Sequence, residues 1–226
     1  MEQMKTFKVA IDGPAGAGKS TIAKAAASKL GFVYIDTGAM YRAIGLFALR
    51  AGVETKNAEQ VIPLLDDIKI AIRHTEEGQQ IDLNGENVSE EIRKPEVSVA
   101  ASNVAVIPEV RLKLVELQRM LAQKDNVIMD GRDIGTYVLP DADIKIFLTA
   151  SVDARAKRRL DELEEKGIET TFAEVKQDME YRDQNDASRE FAPLKAAEDS
   201  ILLDSTELTL DETTQKVLAL IEVKRI

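Results

Sequence analysis

The stretch GPAGAGKS, residues 13 to 20, combines closely spaced glycines with a lysine and a serine. Glycines let backbone N–H groups curl around phosphate oxygens, and a following helix would point its N-terminus at them. In this pattern the lysine reaches the β- and γ-phosphates, and the serine hydroxyl is a ligand of Mg²⁺. The stretch therefore predicts a site for a nucleoside triphosphate with Mg²⁺. The predicted triphosphate-binding residues here are Gly13, Pro14, Ala15, Gly16, Ala17, Gly18, Lys19, Ser20 and Thr21.

Charged and hydroxyl side chains follow two further predicted strands. Thr37 and Arg42 lie in DTGAMYR after the strand FVYID, and Arg132 and Asp133 lie in DGRDIGT after the strand NVIMD. Ligands of open parallel sheets bind beyond the carboxyl ends of the strands. Arginine matches phosphate oxygens with paired hydrogen bonds. These residues indicate a second anionic group beside the nucleotide, and a phosphate acceptor is the simplest one. Such an acceptor needs no general base, so catalysis reduces to positioning and charge neutralisation.

A third group of charged residues occupies two polar helices nearer the C-terminus. Arg155, Arg158 and Arg159 share one helix face by their i, i+3, i+4 spacing, which by itself is typical of a solvated surface. Arg182 and Asp186 are spaced i, i+4, which taken alone indicates an ordinary surface ion pair. Arg42 taken alone is equally compatible with a residue on a helix surface.

Composition narrows the classes of protein to consider. The chain has 226 residues, 44% of them hydrophobic, which is enough for one sizeable core. Its net charge of −10 argues against a nucleic-acid-coating protein or a membrane-surface binder. It has no cysteine and one histidine, which argues against disulfides, cysteine-ligated metals and a serine–histidine triad. With no signal peptide and no long apolar run, we expect a soluble cytoplasmic protein.

Predicted strands alternate with predicted helices along most of the chain. The strands are FKVAIDG, FVYID, NVIMD, DIKIFLT and SILLDS. The helices between and after them include KSTIAKAAASKLG, AMYRAIGLFALRAG, a short NAEQVIPLLDDI, a long segment interrupted near Pro108, two charged helices and the C-terminal helix. This alternation predicts an α/β fold with a parallel sheet covered by helices on both faces. We expect one domain spanning residues 1–226.

Residues 68–92 depart from this alternation. IKIAIRH and QQIDLNGENVS alternate apolar and polar residues with a period of two, and TEEG and NGE are turn signals. We therefore expect a small antiparallel sheet inserted into the strand–helix fold.

Three functions are compatible with a triphosphate site at this length. The tetrapeptide Asn-Lys-x-Asp of guanine-specific GTPases is absent, and a motor or helicase would be larger and more basic. A small-molecule kinase is the natural interpretation. A kinase for another acceptor, either a different monophosphate or a hydroxyl metabolite with Asp130 or Asp133 as its base, is the first alternative. An NTP-sensing module without transfer activity is the second.

The chain closely resembles the bacterial cytidylate kinases, which are nucleoside monophosphate kinases of the P-loop class. The matching stretches are IDGPAGAGKST, DTGAMYR, VSEEIR, VAASNVAVIPEVR, DGRDIGT, IKIFLTAS and APLKAAEDSILLDST. They extend from residue 11 to beyond residue 200, and DGRDIGT together with the phosphate-binding stretch is specific. The family carries an antiparallel insert, which residues 68–92 resemble.

The resemblance implies both a reaction and an architecture. The reaction is transfer of the γ-phosphoryl group of ATP to CMP or dCMP with Mg²⁺, within pyrimidine metabolism in the cytoplasm. The implied fold has five parallel strands flanked by helices. It also has a monophosphate-binding region at about residues 37–110, which contains the insert, and a helical lid at about residues 152–170. The resemblance also suggests a monomer.

It further implies which residues contact the acceptor phosphate and sugar. Arg42, Arg132 and Arg189 would hold the α-phosphate of CMP. Arg182 and Asp186 would meet the ribose or deoxyribose.

The resemblance assigns the base to another set of residues. Ser102, Arg111 and Asp133 would read cytosine, and Thr37 stands where many members have serine, so its hydroxyl contact should persist. A carboxylate accepts from the cytosine amino group but repels the O4 oxygen of uracil, which supports Asp133 as a base-reading residue.

The remaining implied roles concern the transferred phosphoryl group. Lys19 and Arg132 would neutralise its charge together with Arg155 and Arg159 of the lid. Arg158 would contact ATP.

Overall fold

The computed structural model describes residues 6–75 and 78–225. Its helices and strands follow the predicted order closely. The strands are β1 (Lys8–Asp12), β2 (Val33–Asp36), β3 (Ile70–Thr75), β4 (Gly78–Leu83), β5 (Glu86–Asn87), β6 (Val127–Gly131), β7 (Ile144–Thr149) and β8 (Ile201–Asp204). The α-helices are α1 (Lys19–Leu30), α2 (Thr37–Arg50), α3 (Ala58–Val61), α4 (Pro95–Val104), α5 (Pro108–Leu121), α6 (Val152–Glu165), α7 (Phe172–Ser188) and α8 (Leu210–Arg225).

Five of the strands form one sheet in the order β2-β6-β1-β7-β8, and the pairs of β1 with β6, β1 with β7 and β7 with β8 are parallel. Strand β1 is central, and Asp12 at its end is in register with Gly131 of β6. The carboxyl ends of these two neighbouring strands therefore lie side by side. The five-stranded parallel sheet flanked by helices is confirmed, as is the small antiparallel sheet in the order β3-β4-β5.

The position of β1 and β6 in the core explains why their sequences are nearly continuous apolar runs. Val9 and Ile11 of β1 and Ile128 of β6 are fully buried, as expected for central parallel strands covered on both faces. Helices α1 and α8 contribute Ile22 and Ile221 to the same cluster.

The described residues form two compact units. The first contains the described residues up to Tyr34 and those from Ala122 onward, and the second is Ile35–Leu121. The second unit holds the antiparallel sheet and helices α2 to α5, and it encloses the range of about 37–110 expected for the monophosphate-binding region. The NGE turn signal corresponds to Asn84 and Gly85, which both have positive φ, as a tight hairpin requires. In the TEEG signal, residues 76 and 77 lie outside the described residues.

Some helices begin or end at other residues than the sequence predicted. The short third helix is divided: α3 ends at Val61 and a 3₁₀ helix continues from Ile62 to Asp67, because Pro63 cannot donate a helical hydrogen bond. The interruption near Pro108 is confirmed, since α4 ends at Val104 and α5 begins at Pro108. A one-turn π-helix over Ile134–Val138, within DGRDIGT and the residues after it, had no sequence signal. Within the described part of the chain, no helix combines the length and apolarity that crossing a membrane would require.

Candidate active site

The phosphate loop, residues 13–20, connects the end of β1 to the start of α1, in the strand–loop–helix context that the sequence predicted. Gly13 has φ 148°, and a Cβ there would lie 1.9 Å from the backbone oxygen of Leu148, so only glycine fits. Gly18 has the left-handed conformation and directly precedes α1, so the free N–H groups of the first helical turn begin at Lys19, within the loop.

Lys19 is the first residue of α1 and is only 5% exposed. Its ammonium donates a 2.7 Å hydrogen bond to the backbone oxygen of Pro14, across the loop. Burial lowers the pKa of Lys19 to about 7, and the nearby Arg132 charge adds to the decrease. A bound phosphate would supply the negative charge that restores the protonated form.

Ser20 and Asp130 present side-chain oxygen atoms, which could be metal ligands, at the same edge of the sheet. The Ser20 hydroxyl donates to Asp130 Oδ2 at 2.9 Å, and the Tyr34 hydroxyl donates to Asp130 Oδ1 at 2.9 Å. No cluster of three or more histidine, cysteine, aspartate or glutamate side chains suited to a metal occurs among residues 6–75 and 78–225. A hydroxyl plus one carboxylate fits Mg²⁺, which favours hard oxygen ligands and usually keeps waters and substrate phosphates as the others. Asp130 was not among the metal ligands predicted from sequence.

The DGRDIGT segment is fastened to the end of β1 by Asp12. Asp12 Oδ1 accepts from the backbone N–H of Ile134 at 2.8 Å, and Oδ2 accepts from that of Gly135 at 2.7 Å. Burial raises the pKa of Asp12 to about 7, although these two backbone donors act in the opposite direction. Asp12 thus holds the turn that immediately follows Arg132 and Asp133. Sequence reasoning missed it, because the residue simply ends an apolar strand.

Arg132, Asp186 and Arg189 meet in the first unit. Arg132 Nε donates to Asp186 Oδ2 at 2.6 Å, and Arg189 Nη2 donates to Asp186 Oδ1. Asp186 is 3% exposed; burial alone would raise its pKa, but the charges of Arg132 and Arg189 hold that pKa below its ordinary value. Arg182 adds to this effect and therefore lies near the same carboxylate. The interpretation of Asp186 as part of a surface ion pair is wrong, because the group is buried and orients two arginines.

The three arginines of the predicted lid have distinct environments. Arg155 is 5% exposed, and it donates to the backbone oxygens of Ala150 at 3.0 Å and Ala15 at 2.8 Å and to Asp183 at 2.7 Å. Arg155 therefore contacts the phosphate loop itself. The solvated-face interpretation is wrong for this residue.

The other two arginines of the predicted lid contact different partners. Arg158 donates to the backbone oxygens of Ser205 at 2.5 Å and Leu208 at 3.2 Å. Arg159 pairs with Glu162 at 2.7 Å in an i, i+3 arrangement, as a residue on a helix surface does.

The second unit contains Thr37 and Arg42, two further residues predicted to contact the acceptor. Thr37 begins α2 and is buried, and Arg42 one turn later donates from Nη2 to Asp36 Oδ2 at 2.8 Å. The Nε atom of Arg42 is buried and has no hydrogen-bond partner among the described residues, which is unusual for a buried donor. A substrate oxygen is the kind of group that would satisfy it.

The predicted base-reading residues are all buried. Ser102 on α4 is 6% exposed, and Arg111 on α5 is completely buried, with its guanidinium carbon 5.7 Å from the ring centre of Tyr41. Arg111 Nη1 also donates to the backbone oxygen of Ala105 at 3.3 Å. Asp133, in the first unit, is 4% exposed and directly precedes the π-helical turn. Buried charges of this kind are rare unless they are paired or functional.

Comparison with known proteins gives a consistent result. A family model described as cytidylate kinase matches residues 9–223. The chain is 55% identical over 217 residues to the cytidylate kinase of Caldicellulosiruptor saccharolyticus, covering 96% of each chain. It is 51% identical over 220 residues to the cytidylate kinase of Alkaliphilus metalliredigens, covering 97% of this chain and 98% of that protein.

Among solved structures, an uncharacterized protein from Eubacterium ventriosum is similar in fold, with a TM-score of 0.54 and 15% identity over 96% of this chain and 99% of that chain. That likeness concerns the fold alone. Because the family model spans nearly all residues and close relatives share about half of their sequence with it over almost their full length, the chain belongs to the cytidylate kinase family.

Proposed function

We propose that this chain transfers the γ-phosphoryl group of ATP to CMP or dCMP, giving ADP and CDP or dCDP, as a step of pyrimidine nucleotide metabolism. The observation that carries the proposal is the register of β1 and β6, in which Asp12 lies beside Gly131. The phosphate loop and DGRDIGT leave the sheet from these two adjacent strand ends. The first segment suits a triphosphate, and the second contributes an arginine for the acceptor's phosphate and an aspartate for its base.

The phosphate loop binds the triphosphate in this proposal. Its backbone N–H groups and the N-terminus of α1 face the phosphates, and Lys19 exchanges its bond to the Pro14 oxygen for a phosphate oxygen. Ser20 and Asp130 would hold Mg²⁺, which neutralises charge on the phosphate oxygens when bound. Further contacts come from Thr21 and Arg158.

The acceptor is positioned by arginines on its α-phosphate. Arg132 and Arg189 share the carboxylate of Asp186, which fixes both guanidinium groups before substrate arrives. Arg42 contributes its unsatisfied Nε. Because the acceptor phosphate is itself a nucleophile, positioning and charge neutralisation suffice, and no general base is needed.

The sugar and base are assigned to the remaining residues. Each oxygen of Asp186 accepts from an arginine and keeps a second lone pair for a ribose hydroxyl, beside Arg182. Asp133 accepts a hydrogen bond from the amino group of cytosine. Ser102 and Arg111 donate hydrogen bonds to the carbonyl oxygen and the ring nitrogen of cytosine. Thr37 supplies a further hydroxyl contact.

The lid, residues 152–170, completes the site as the substrates bind. Arg155 donates to the Ala15 oxygen and to Asp183, and it exchanges one of these partners for a phosphate oxygen during transfer. Arg159 turns from Glu162 to the same group. Closure excludes water and limits hydrolysis of ATP. We propose that the enzyme works as a monomer in the cytoplasm and binds neither nucleic acid nor membrane.

The experiment that tests this proposal is to measure ADP release from ATP and Mg²⁺ with and without CMP, and to identify the second product by ³¹P NMR. We expect ADP and CDP in equal amounts and little ADP without CMP. A rate of ADP release that is the same with and without CMP would indicate a hydrolase. Tight ATP binding with no ADP in either arm would indicate an NTP-sensing module.

A further inference from the structure

Within the second unit, a side chain of the antiparallel insert contacts the main chain at the end of β2. Gln79 of β4 accepts from the backbone N–H of Asp36 at 2.9 Å through Oε1, and its Nε2 donates to the backbone oxygen of Asp36 at 3.4 Å. The amide thus pairs with both polar groups of one residue, as a residue of a neighbouring strand would. The pairing fixes the peptide groups on both sides of Asp36.

Asp36 in turn holds the first turn of α2 and Arg42. Its Oδ1 accepts from the backbone N–H of Ala39 at 2.8 Å, which caps the helix, and its Oδ2 accepts from Arg42 Nη2 at 2.8 Å. Both oxygens of Asp36 are therefore engaged, and the direction of the Arg42 guanidinium follows from the position of Asp36.

Gly38 shows how closely this pair is packed. A Cβ on Gly38 would lie 3.1 Å from Arg42 Nη1 and 3.2 Å from Asp36 Oδ1. The arginine and the carboxylate therefore fill the space above the first turn of α2, which a side chain there would disturb.

Strand periodicity explains why the insert presents this amide. Gln79 lies on the same face of β4 as Ile81 and Leu83, which are 2% exposed and form the inner face of the insert. Packing of these two side chains fixes the position of β4, and Gln79 near the start of that strand then reaches Asp36. The apolar packing of the insert thus holds the polar contact between Gln79 and Asp36 in place.

We propose that Gln79 is a positioning residue for substrate binding, acting through Asp36 to hold Arg42 in the orientation that receives the α-phosphate of the acceptor. This inference rests on the proposed function. Holding a flexible arginine in place before binding reduces the conformational entropy lost on binding. Because Arg42 meets the phosphate, the effect is the same for every nucleotide base, unlike an effect on Asp133.

The test compares Gln79→Met and Gln79→Ala with Arg73→Ala, a matched control in the same insert. Arg73 pairs with Asp82 at 2.6 Å, lies on β3 and is mostly exposed. Gln79→Met keeps the length of the side chain and removes both hydrogen bonds. We expect both Gln79 variants to raise KM for CMP about 3- to 10-fold, the effect of losing one or two net hydrogen bonds. KM for ATP and the CMP-to-UMP preference should stay within twofold of wild type, and Arg73→Ala should resemble wild type.

The inference is overturned if KM for ATP rises as much as KM for CMP, if base preference changes, or if Arg73→Ala behaves like Gln79→Met. A second readout does not depend on activity. The Nε–Hε NMR signal of Arg42, assigned by its loss in Arg42→Lys, should show faster side-chain motion in Gln79→Met than in wild type. Unchanged motion would contradict the inference even if the chain phosphorylated another acceptor, whereas inactivity of the wild type toward CMP would contradict the proposed function alone.

Discussion

At the scale of single residues, the first unit concentrates buried charges at the carboxyl edge of its sheet. Lys19, Asp130 and Asp186 are each no more than 5% exposed, and each has a polar partner. Burying charge is costly unless partners compensate for lost water. Groups held in this way need little reorganisation when a phosphate arrives, which is the condition for strong electrostatic stabilisation of a transition state.

Lys19→Ala tests the most direct of these roles. Removing a cation preorganised for the transferring phosphoryl group should lower kcat on the order of 100-fold or more. The measurement is steady-state kinetics with ATP and CMP, with circular dichroism to exclude a folding defect. Lys29→Ala, in the last turn of the same helix, is the matched control and should retain wild-type kcat. A Lys19→Ala enzyme with near wild-type kcat would show that the phosphate loop has been misassigned.

Asp133→Ala tests base reading. A good base-edge contact contributes about 1–3 kcal/mol, so kcat/KM for CMP should fall roughly 10- to 100-fold while that for UMP falls much less. Kinetics with both acceptors gives the ratio. If Asp133 instead only orients a neighbouring arginine, kcat/KM should fall equally for CMP and UMP. An unchanged CMP-to-UMP preference would therefore refute the assignment.

Asp12 should make stability depend on pH. Its folded-state pKa of about 7 lies above the ordinary value of 3.8, so between these values the folded protein binds more protons than the unfolded chain. The contribution of this group to the free energy of unfolding is therefore present at low pH and lost as pH rises toward 7, by at most about 1.4 kcal/mol per unit. Urea unfolding at pH 5 and pH 8 should show a smaller loss of stability with rising pH in Asp12→Asn than in wild type. Equal losses in the two proteins would contradict this.

At the scale of secondary-structure elements, α6 and α7 pack on each other through a small core of their own. Ala156 and Leu163 of α6 meet Val175 and Met179 of α7. A cluster this small stabilises a helical pair less than the main core stabilises the sheet, which suits elements that move during a catalytic cycle. The connection of α6 to the phosphate loop runs through Arg155.

Limited proteolysis tests this mobility. If the lid closes over bound substrates, cleavage within residues 150–170 should slow when a non-hydrolysable ATP analogue and CMP are added together, and less with either alone. Mass spectrometry of the fragments locates the cuts. Cleavage that is the same with and without ligands would indicate that this segment does not close.

The elements were predictable to the extent that local patterns determine them. The five parallel strands, the insert and the interruption at Pro108 follow from apolar runs, alternation and proline, and the structure confirms them. The division of the third helix at Pro63 was missed, because a proline at the start of a new helical segment resembles one inside a helix.

The candidate site was predictable in part. Motif residues such as Lys19 and Arg132 carry a sequence signal. Asp12 and Gln79 have none, because their roles come from contacts between residues far apart in the chain, as when Asp12 accepts from Ile134.

At the scale of the whole molecule, a chain of net charge −10 keeps several of its arginines buried or paired beside predicted phosphate sites. The overall field repels anions, so binding of nucleotides depends on these local clusters. The composition argues against polyanion coating, and the arginine positions indicate small, specific anions. Family membership agrees with this view of the molecule.

The most direct test of the account is an acceptor panel with the wild-type protein, ATP and Mg²⁺, comparing kcat/KM for CMP, dCMP, UMP, AMP and shikimate. We expect CMP or dCMP to be the best acceptor, with kcat/KM about 10- to 100-fold above that for UMP, as one or more base-edge contacts would give. AMP and shikimate should support ADP release no faster than ATP alone. Equal or faster phosphorylation of AMP or shikimate would contradict the assignment of this chain as a kinase of cytidine monophosphates.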